Sequence, residues 1–262
     1  MQNVRTVLIL LVQFVLRLSF GLALAMAATS PRQVTSGYYR NHSYVLLGLA
    51  ALVATIALTS PETFPIWPPV AAAVASYLAS VCWLYESPRA GRILLVAVAA
   101  FSLAAAWSAP DIHDSATNAT SAAVLVLWRL NSISGGLVLG TIMAAMFLGH
   151  WFLNTPTMQI EPLKRLVLFA GAAILLRMAL CGVGLGLELS YYSIPWGSRV
   201  AFIALRWLAG LVAAMVVVIM TWQTLKIPNT QSATGILYVG VIVTFLGELT
   251  AQLLSAETYY PL

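Results

Sequence analysis

Apolar residues lie along the chain in long runs, separated by short stretches that contain proline, glycine, serine or charged residues. A helix that crosses the hydrocarbon core of a bilayer needs about 20 mostly apolar residues, and the chain divides into eight such runs. The predicted spans are Val7 to Thr29, Tyr44 to Ser60, Trp67 to Tyr85, Arg92 to Ala109, Asn131 to Leu153, Lys164 to Leu187, Arg199 to Gln223 and Ser232 to Ala256. The pattern therefore predicts an all-α polytopic membrane protein, a single helical bundle over residues 1–262 without a soluble domain.

Composition narrows the class of protein further. Hydrophobic residues make up 61% of the chain and charged residues only 8%, whereas a soluble domain is about a quarter charged. A cytosolic enzyme, a secreted disulfide scaffold, a disordered chain and a nucleic-acid-binding module are thus excluded. The two cysteines, Cys82 and Cys181, both lie in apolar runs, so we expect small core residues rather than a disulfide or a metal motif.

The basic residues of the connectors predict the orientation in the membrane. Alternate connectors carry seven of them: Arg32, Arg40, Arg89, Arg92, Lys164, Arg165 and Lys226. The opposite connectors carry Arg5, Arg129 and Arg199 with most of the acidic residues. The positive-inside rule then places both termini on the non-cytoplasmic side of a bacterial-type inner membrane. In the alternative interpretation, residues 1–27 are a cleaved signal peptide, although Arg17 interrupts their apolar core.

The two halves of the chain, residues 1–110 and 121–262, contain similar segments in the same order, separated by similar turn-forming residues. The segment Ser19 to Ala25 matches Ser134 to Gly140, and Val45 to Leu58 matches Val167 to Leu180 without gaps. Four spans per half would give the halves the same orientation, related by an axis along the membrane normal. The pattern is compatible with an internal duplication and equally with chance similarity between apolar sequences.

Four ionisable residues lie inside the predicted spans, where each charge costs at least about 2.5 kcal/mol on insertion scales. They are Arg17, Arg177, Arg206 and Glu248, and counting residues along each span places all four in one layer of the outer half. Further polar residues for this layer are Gln13, Asn131, Ser132, Ser134 and Glu188. Three arginines exceed one glutamate, so either Glu188 or an anionic group from outside the chain would have to complete the balance.

Two interpretations of this layer stay open. As a ligand site, the arginines would bind a lipid phosphate, a quinone head group, a heme propionate or a small transported anion, because a planar guanidinium suits phosphate and carboxylate. As a structural feature, Arg206 would pair with Glu248, while Arg17 and Arg177 would cap backbone carbonyls or snorkel. The many glycines of the spans are expected to serve close helix packing.

A second group of polar residues lies at the predicted inner edge. His42 leads into the second span and His150 ends the fifth. Two facing imidazoles could ligate a heme b iron, with Arg40 near a propionate. The alternative is that both histidines are interfacial residues beside their aromatic neighbours.

The longest polar connector contains Asp111, His113 and Asp114. We expect a solvated loop there rather than a weak divalent-cation site, and the apolar residues 122–130 behind it could form an interfacial helix that leads into the fifth span. No nucleophile, phosphate-binding or metalloprotease motif occurs. Catalysis by the chain itself is therefore not expected, and a lipid-modifying enzyme with Glu248 as a base is a lesser alternative.

These patterns predict the fold class and membrane topology of the protein better than the chemistry of any site. No residue pattern supports resemblance to a known family. The leading functional hypothesis is a membrane subunit of a larger electron-transfer or translocation complex, which contacts membrane lipids and other membrane subunits and holds a quinone, lipid or heme. The runner-up is a small secondary transporter that binds an anionic substrate at the arginine layer.

Overall fold

The computed structural model describes residues 2–109, 122–155, 158–191, 197–227, 229–256 and 258–262. This part of the chain is helical and contains no strand. The α-helices are α1 (Gln2–Ala28), α2 (Ser36–Thr59), α3 (Trp67–Leu84), α4 (Pro88–Ser108), α5 (Ala122–Asn154), α6 (Glu161–Tyr191), α7 (Ser198–Leu205), α8 (Ala213–Lys226) and α9 (Thr230–Ser255). A π-helical segment, Arg206–Val212, joins α7 to α8 without a break. Among the described residues, eight helices are long and apolar enough to cross a membrane, which confirms the eight predicted spans of a multi-pass membrane protein.

Helices α2 and α5 begin eight and nine residues before the starts that the sequence pattern predicts. Helix α2 begins at Ser36 rather than at Tyr44, because Tyr38 and Tyr39 are fully buried and extend the packed face by two turns. Helix α5 begins at Ala122 and runs for 33 residues. The predicted interfacial helix over residues 122–130 is therefore wrong: these residues form the first turns of α5, and no glycine or proline interrupts them.

Successive spans alternate in direction, so their ends lie on two opposite sides of the bundle. We call the side where α1 begins and α9 ends the terminal side. There the end of α4 and the first turns of α5 are joined by a hydrogen bond from the Arg129 guanidinium to the Trp107 carbonyl (2.8 Å). The basic side contains the seven arginines and lysines that the sequence analysis assigned to connectors, most of which lie in the end turns of helices. On this side Gln33 donates to Gln159 (2.7 Å). The described residues thus separate a basic side from a terminal side, as the charge pattern predicts.

The helices form two rings of four spans. In the first ring, α1 packs on α2 and α4, and α3 closes the ring between them. In the second ring, α5 packs on α6 and α9, and the seventh span, made of α7, the π-helical segment and α8, closes it. The rings follow the chain in the same order, which is compatible with the predicted duplication; the duplication itself stays a prediction.

The rings meet chiefly where α1 crosses α5. In α1, 72% of the most apolar stretch is buried inside the bundle, and in α5 the share is 78%. The other spans are only 33–44% buried, so α1 and α5 are the central helices. A Cβ atom on Gly21 would lie 1.7 Å from the Gly136 carbonyl oxygen, and one on Gly140 would lie 1.9 Å from the Gly21 carbonyl carbon. Only glycine permits this approach of the two backbones.

The exterior of the bundle is apolar, and the polar side chains of the spans lie inside. Ile93, Leu175 and Ile242 are each more than 60% exposed, as expected for side chains that face lipid. Arg177, Arg206 and Glu248 are at most 1% exposed. Chemistry within the spans is therefore concentrated in the interior of the bundle.

Candidate functional site

Glu248 on α9 is the centre of the intramembrane charges. Its carboxylate is fully buried and accepts hydrogen bonds on both oxygens. Arg177 donates from Nε to Oε1 (3.0 Å) and from Nη2 to Oε2 (2.8 Å). Arg206 donates from Nη2 to Oε1 (2.9 Å). One glutamate therefore joins α6, α9 and the start of the π-helical segment by charge-assisted hydrogen bonds.

Arg177 reaches from α6 to two neighbouring helices. Its third nitrogen, Nη1, donates to the main-chain carbonyl of Asn131 (3.1 Å), to the side-chain oxygen of Asn131 and to the Ser134 hydroxyl (3.2 Å). Every guanidinium nitrogen of Arg177 thus has an acceptor. This arginine is fully satisfied by α5 and α9, and its position is fixed by both.

Arg206 is the first residue of the π-helical segment and is less well satisfied than Arg177. Its Nη2 also contacts the Cys181 sulfur (3.5 Å), but its Nε, although buried, has no hydrogen-bond partner within the described residues. A π-helical turn inside an α-helix frequently marks a functional site. Here it begins at Arg206, whose hydrogen-bonding capacity is not fully used by the described residues.

Glycines allow the helices of this site to come close enough for the ion pairs to form. A Cβ on Gly247 would lie 2.3 Å from the Gly210 Cα, so the π-helical segment and α9 touch through bare backbone one residue before Glu248. A Cβ on Gly135 would lie 2.7 Å from Glu248 Oε2. Residue counting along the spans predicted the charged layer and missed these contacts, although glycines at helix-packing positions were a visible signal.

Arg17 on α1 completes the group. It is 5% exposed, its main chain lies against Gly136 of α5, and its charge acts on Glu248. Arg17, Arg177, Arg206 and Glu248 are called the arginine cluster below. Arg177 and Arg206 share the single carboxylate of Glu248, so these two ion pairs contain one more positive than negative charge.

Three residues predicted for this layer lie elsewhere or make other bonds. Gln13 faces α4, where its Nε2 donates to the Ala106 carbonyl (2.9 Å). Glu188 lies eleven residues beyond Arg177 on α6, about 16 Å along the axis, and accepts from the Tyr260 main-chain N–H (3.2 Å). Ser132 bonds back to the Trp128 carbonyl. Within the described residues no ion pair joins Glu188 to an arginine, so Glu188 does not neutralise the cluster.

Gln252 is a buried polar residue that the sequence analysis missed. It lies one helical turn beyond Glu248 on α9, towards the terminal side, and is 5% exposed. Neither its amide nitrogen nor its amide oxygen has a hydrogen-bond partner within the described residues. An unsatisfied buried amide is costly, so Gln252 is a further group whose hydrogen-bonding capacity is unused within the described residues.

The two histidines of the predicted inner edge have different surroundings. His42 lies within α2, where its Nδ1 contacts the Tyr38 carbonyl oxygen (2.6 Å) and its ring packs on Phe147, with centroids 4.4 Å apart. His150 is exposed on the exterior and contacts the Tyr238 hydroxyl (3.2 Å). Arg40, half-buried on α2, makes no described contact with either imidazole. Heme ligation by this pair stays a prediction, and the described contacts match the interfacial interpretation.

Potential metal ligands do not come together in the described part of the chain. No cluster of three or more His, Cys, Asp or Glu side chains that could hold a metal ion occurs there. The candidate loop residues Asp111, His113 and Asp114 lie outside the described residues. Cys82 and Cys181 are unpaired, as expected, and Cys181 is buried beside Arg206.

Comparison with protein-family models, curated proteins and solved structures finds no match for this chain. The functional argument therefore depends on the arginine cluster itself.

Proposed function

We propose that the protein is a membrane-embedded subunit of a larger membrane complex and that its arginine cluster holds an anionic group from outside the chain. The observation that carries this proposal is that Arg177 and Arg206 share one carboxylate, and that the buried Nε of Arg206 has no hydrogen-bond partner within the described residues. Chemically, the cluster suits a phosphate or a carboxylate, since guanidinium groups bind both through paired hydrogen bonds.

The cost of unbalanced charge in an apolar environment supports this proposal. Each arginine near the centre of a span costs about 2.5–3.5 kcal/mol on insertion scales, and the single charge of Glu248 is shared by Arg177 and Arg206. Glu188, the other acidic residue that the sequence suggested for this layer, accepts from the Tyr260 main-chain N–H instead. A bound anion would supply the missing charge and accept from Arg206 Nε.

Short connectors favour a subunit over a protein with moving gates. Residues 29–35, 60–66 and 85–87 link successive helices of the first ring, and such connectors leave little room for lids. Glu248 accepts three hydrogen bonds from arginines and is not exposed, so a role as catalytic base is not favoured. In its more specific form, the proposal adds electron transfer with a bound quinone or heme b.

The charge distribution supports a definite orientation. The basic side would face the cytoplasm and both termini the opposite compartment of an inner membrane. Single cysteines introduced at Arg165 and at Glu62, in a variant without Cys82 and Cys181, test this with an impermeant thiol reagent on intact cells. We expect labelling at position 62 only, and labelling at position 165 only would reverse the orientation.

A secondary transporter is the second candidate function, and the packing of the two rings favours it. The rings meet at the glycine contact between α1 and α5, and the arginine cluster lies beside that contact, next to Gly135. Binding sites at the junction of two helical repeats are usual in transporters. In this interpretation the anion is the substrate rather than a permanent ligand.

One experiment tests the subunit proposal and separates the two candidates. The protein is extracted in mild detergent and studied by native mass spectrometry and absorption spectroscopy, in wild type, Arg206→Gln and the exposed control Arg165→Gln. The subunit proposal predicts partner chains in all three and an anionic adduct lost only from Arg206→Gln. A lone chain that moves anions into liposomes, with flux abolished by Arg206→Gln, would overturn it in favour of the transporter.

A further inference from the structure

A second group of arginines lines a groove on the basic side, far from the arginine cluster. The groove has a volume of about 1050 Å³ and lies between the connector after α1 and the start of α4. Its polar wall contains Arg32, Arg89, Arg92 and Glu86. Arg32 and Arg89 are exposed, so their guanidinium groups are accessible to a ligand from outside the bundle.

One of the three arginines is held in place by the protein. Arg92 donates from Nε to the Ala27 carbonyl at the end of α1 (3.1 Å), which fixes its guanidinium at the groove wall. Within the described residues, no ion pair joins Glu86 to these arginines. Three positive groups and one negative group leave the groove with a net positive charge, and the first turn of α4 adds the positive end of a helix dipole.

Below the arginines, the same wall becomes apolar. Ile93 and Val96 follow Arg89 at spacings of four and seven residues, so all three lie on one face of α4. Ile93 is 69% and Val96 51% exposed, and both line the groove. A ligand in the groove therefore meets positive charge at the membrane edge and an apolar strip towards the membrane interior.

We propose that this groove binds the headgroup of an anionic phospholipid. The phosphate contacts Arg32, Arg89 and Arg92, and an acyl chain lies along Ile93 and Val96. Basic pockets between spanning helices are known to suit acidic lipid headgroups. The apolar strip distinguishes a lipid from free phosphate, because inorganic phosphate has no group to place there.

The test is a native mass spectrometry titration of the detergent-extracted protein with dioleoylphosphatidylglycerol or dioleoylphosphatidylcholine. The test variant is Arg32→Gln/Arg89→Gln, which leaves the anchored Arg92 unchanged. The control is Arg165→Gln/Lys226→Gln, which removes two exposed charges from the same side outside the groove. Both pairs are surface residues, and thermal melts verify that each variant is folded.

We expect wild type to bind phosphatidylglycerol more tightly than phosphatidylcholine. The test variant should bind phosphatidylglycerol about thirtyfold more weakly, since each basic residue near a membrane surface contributes about a factor of five. The control should change by less than about threefold, because distant exposed charges are screened. Equal binding of both lipids to wild type, or equal losses in the test and control variants, would overturn the proposal.

A second variant separates lipid from free phosphate. Ile93→Ser/Val96→Ser removes the apolar strip and keeps all three arginines, so phosphatidylglycerol binding should fall at least about tenfold. Excess inorganic phosphate should compete only weakly with the lipid in wild type. Unchanged lipid binding in this variant, with full displacement by inorganic phosphate, would show that the groove takes the phosphate group alone and would overturn the lipid assignment.

Discussion

The two rings of the bundle follow the same packing order but are held together by different chemistry. In the first ring, the buried polar residues of α3 and α4 are serines, and Ser76 donates to a carbonyl of its own helix (2.7 Å). In the second ring, Arg177, Arg206 and Glu248 connect three helices through buried charges. The first ring joins α1 to α4 through the neutral hydrogen bond of Gln13, whereas the second ring joins three helices through ion pairs. The difference teaches that helices of this chain can be connected without ion pairs, so the buried ion pairs of the second ring call for a function.

The largest expected effect comes from removing the central carboxylate. Glu248→Gln leaves Arg177 and Arg206 without their shared counter-ion, and breaking a buried ion pair costs about 3–5 kcal/mol. In the first ring, Ser76→Ala removes only a hydrogen bond within one helix and should cost less than about 0.5 kcal/mol. Reversible unfolding in mixed detergent micelles measures both variants. Similar losses for both would remove the energetic distinction between the rings.

Glycine substitutions test the same contrast at the level of packing. Gly247→Ala places a methyl group against the Gly210 backbone, which should cost about 1–3 kcal/mol and separate Glu248 from Arg206. Gly48→Ala on α2 meets no atom within 4 Å and should stabilise the protein by up to about 1 kcal/mol, because alanine is the better helix former. A destabilised Gly48→Ala would show that unfolding does not report on these contacts.

The smallest of the three effects concerns a side chain that supports the cluster. Asn131→Ala removes the side-chain acceptor of Arg177 and retains the main-chain carbonyl, so the expected loss is about 1 kcal/mol. Gln13→Ala, in the first ring, removes the hydrogen bond to Ala106 and should cost a similar amount. The anionic adduct in native mass spectra distinguishes the two variants. We expect it to weaken in Asn131→Ala and to stay unchanged in Gln13→Ala.

The sequence predicted the eight spans and the layer of charged residues because both depend on local properties. Span length follows from apolar run length, and depth follows from counting residues along a helix. Side-chain direction depends on the rotation of each helix against its neighbours, which a single sequence does not reveal. For this reason the pairing of Glu248 with both arginines could be predicted only in part, and Gln13 faces α4 instead of the cluster.

Other misses have equally physical causes. The start of α2 depends on burial of Tyr38 and Tyr39, which are amphipathic and resemble interfacial residues in the sequence. The π-helical segment leaves no mark in the apolar pattern of the seventh span. Glu188 is bonded to the chain segment after α9, a contact between residues more than 70 positions apart that no local pattern predicts.

The central claim is that the arginine cluster holds an anionic group that the chain does not supply. A high-resolution cryo-electron microscopy map of the protein, extracted with its native lipids and partners, tests it most directly. The account predicts non-protein density in contact with Arg206 Nε, in wild type and not in Arg206→Gln. Density showing a carboxylate or carbonyl of this chain against Arg206 Nε, with no additional group, would contradict it.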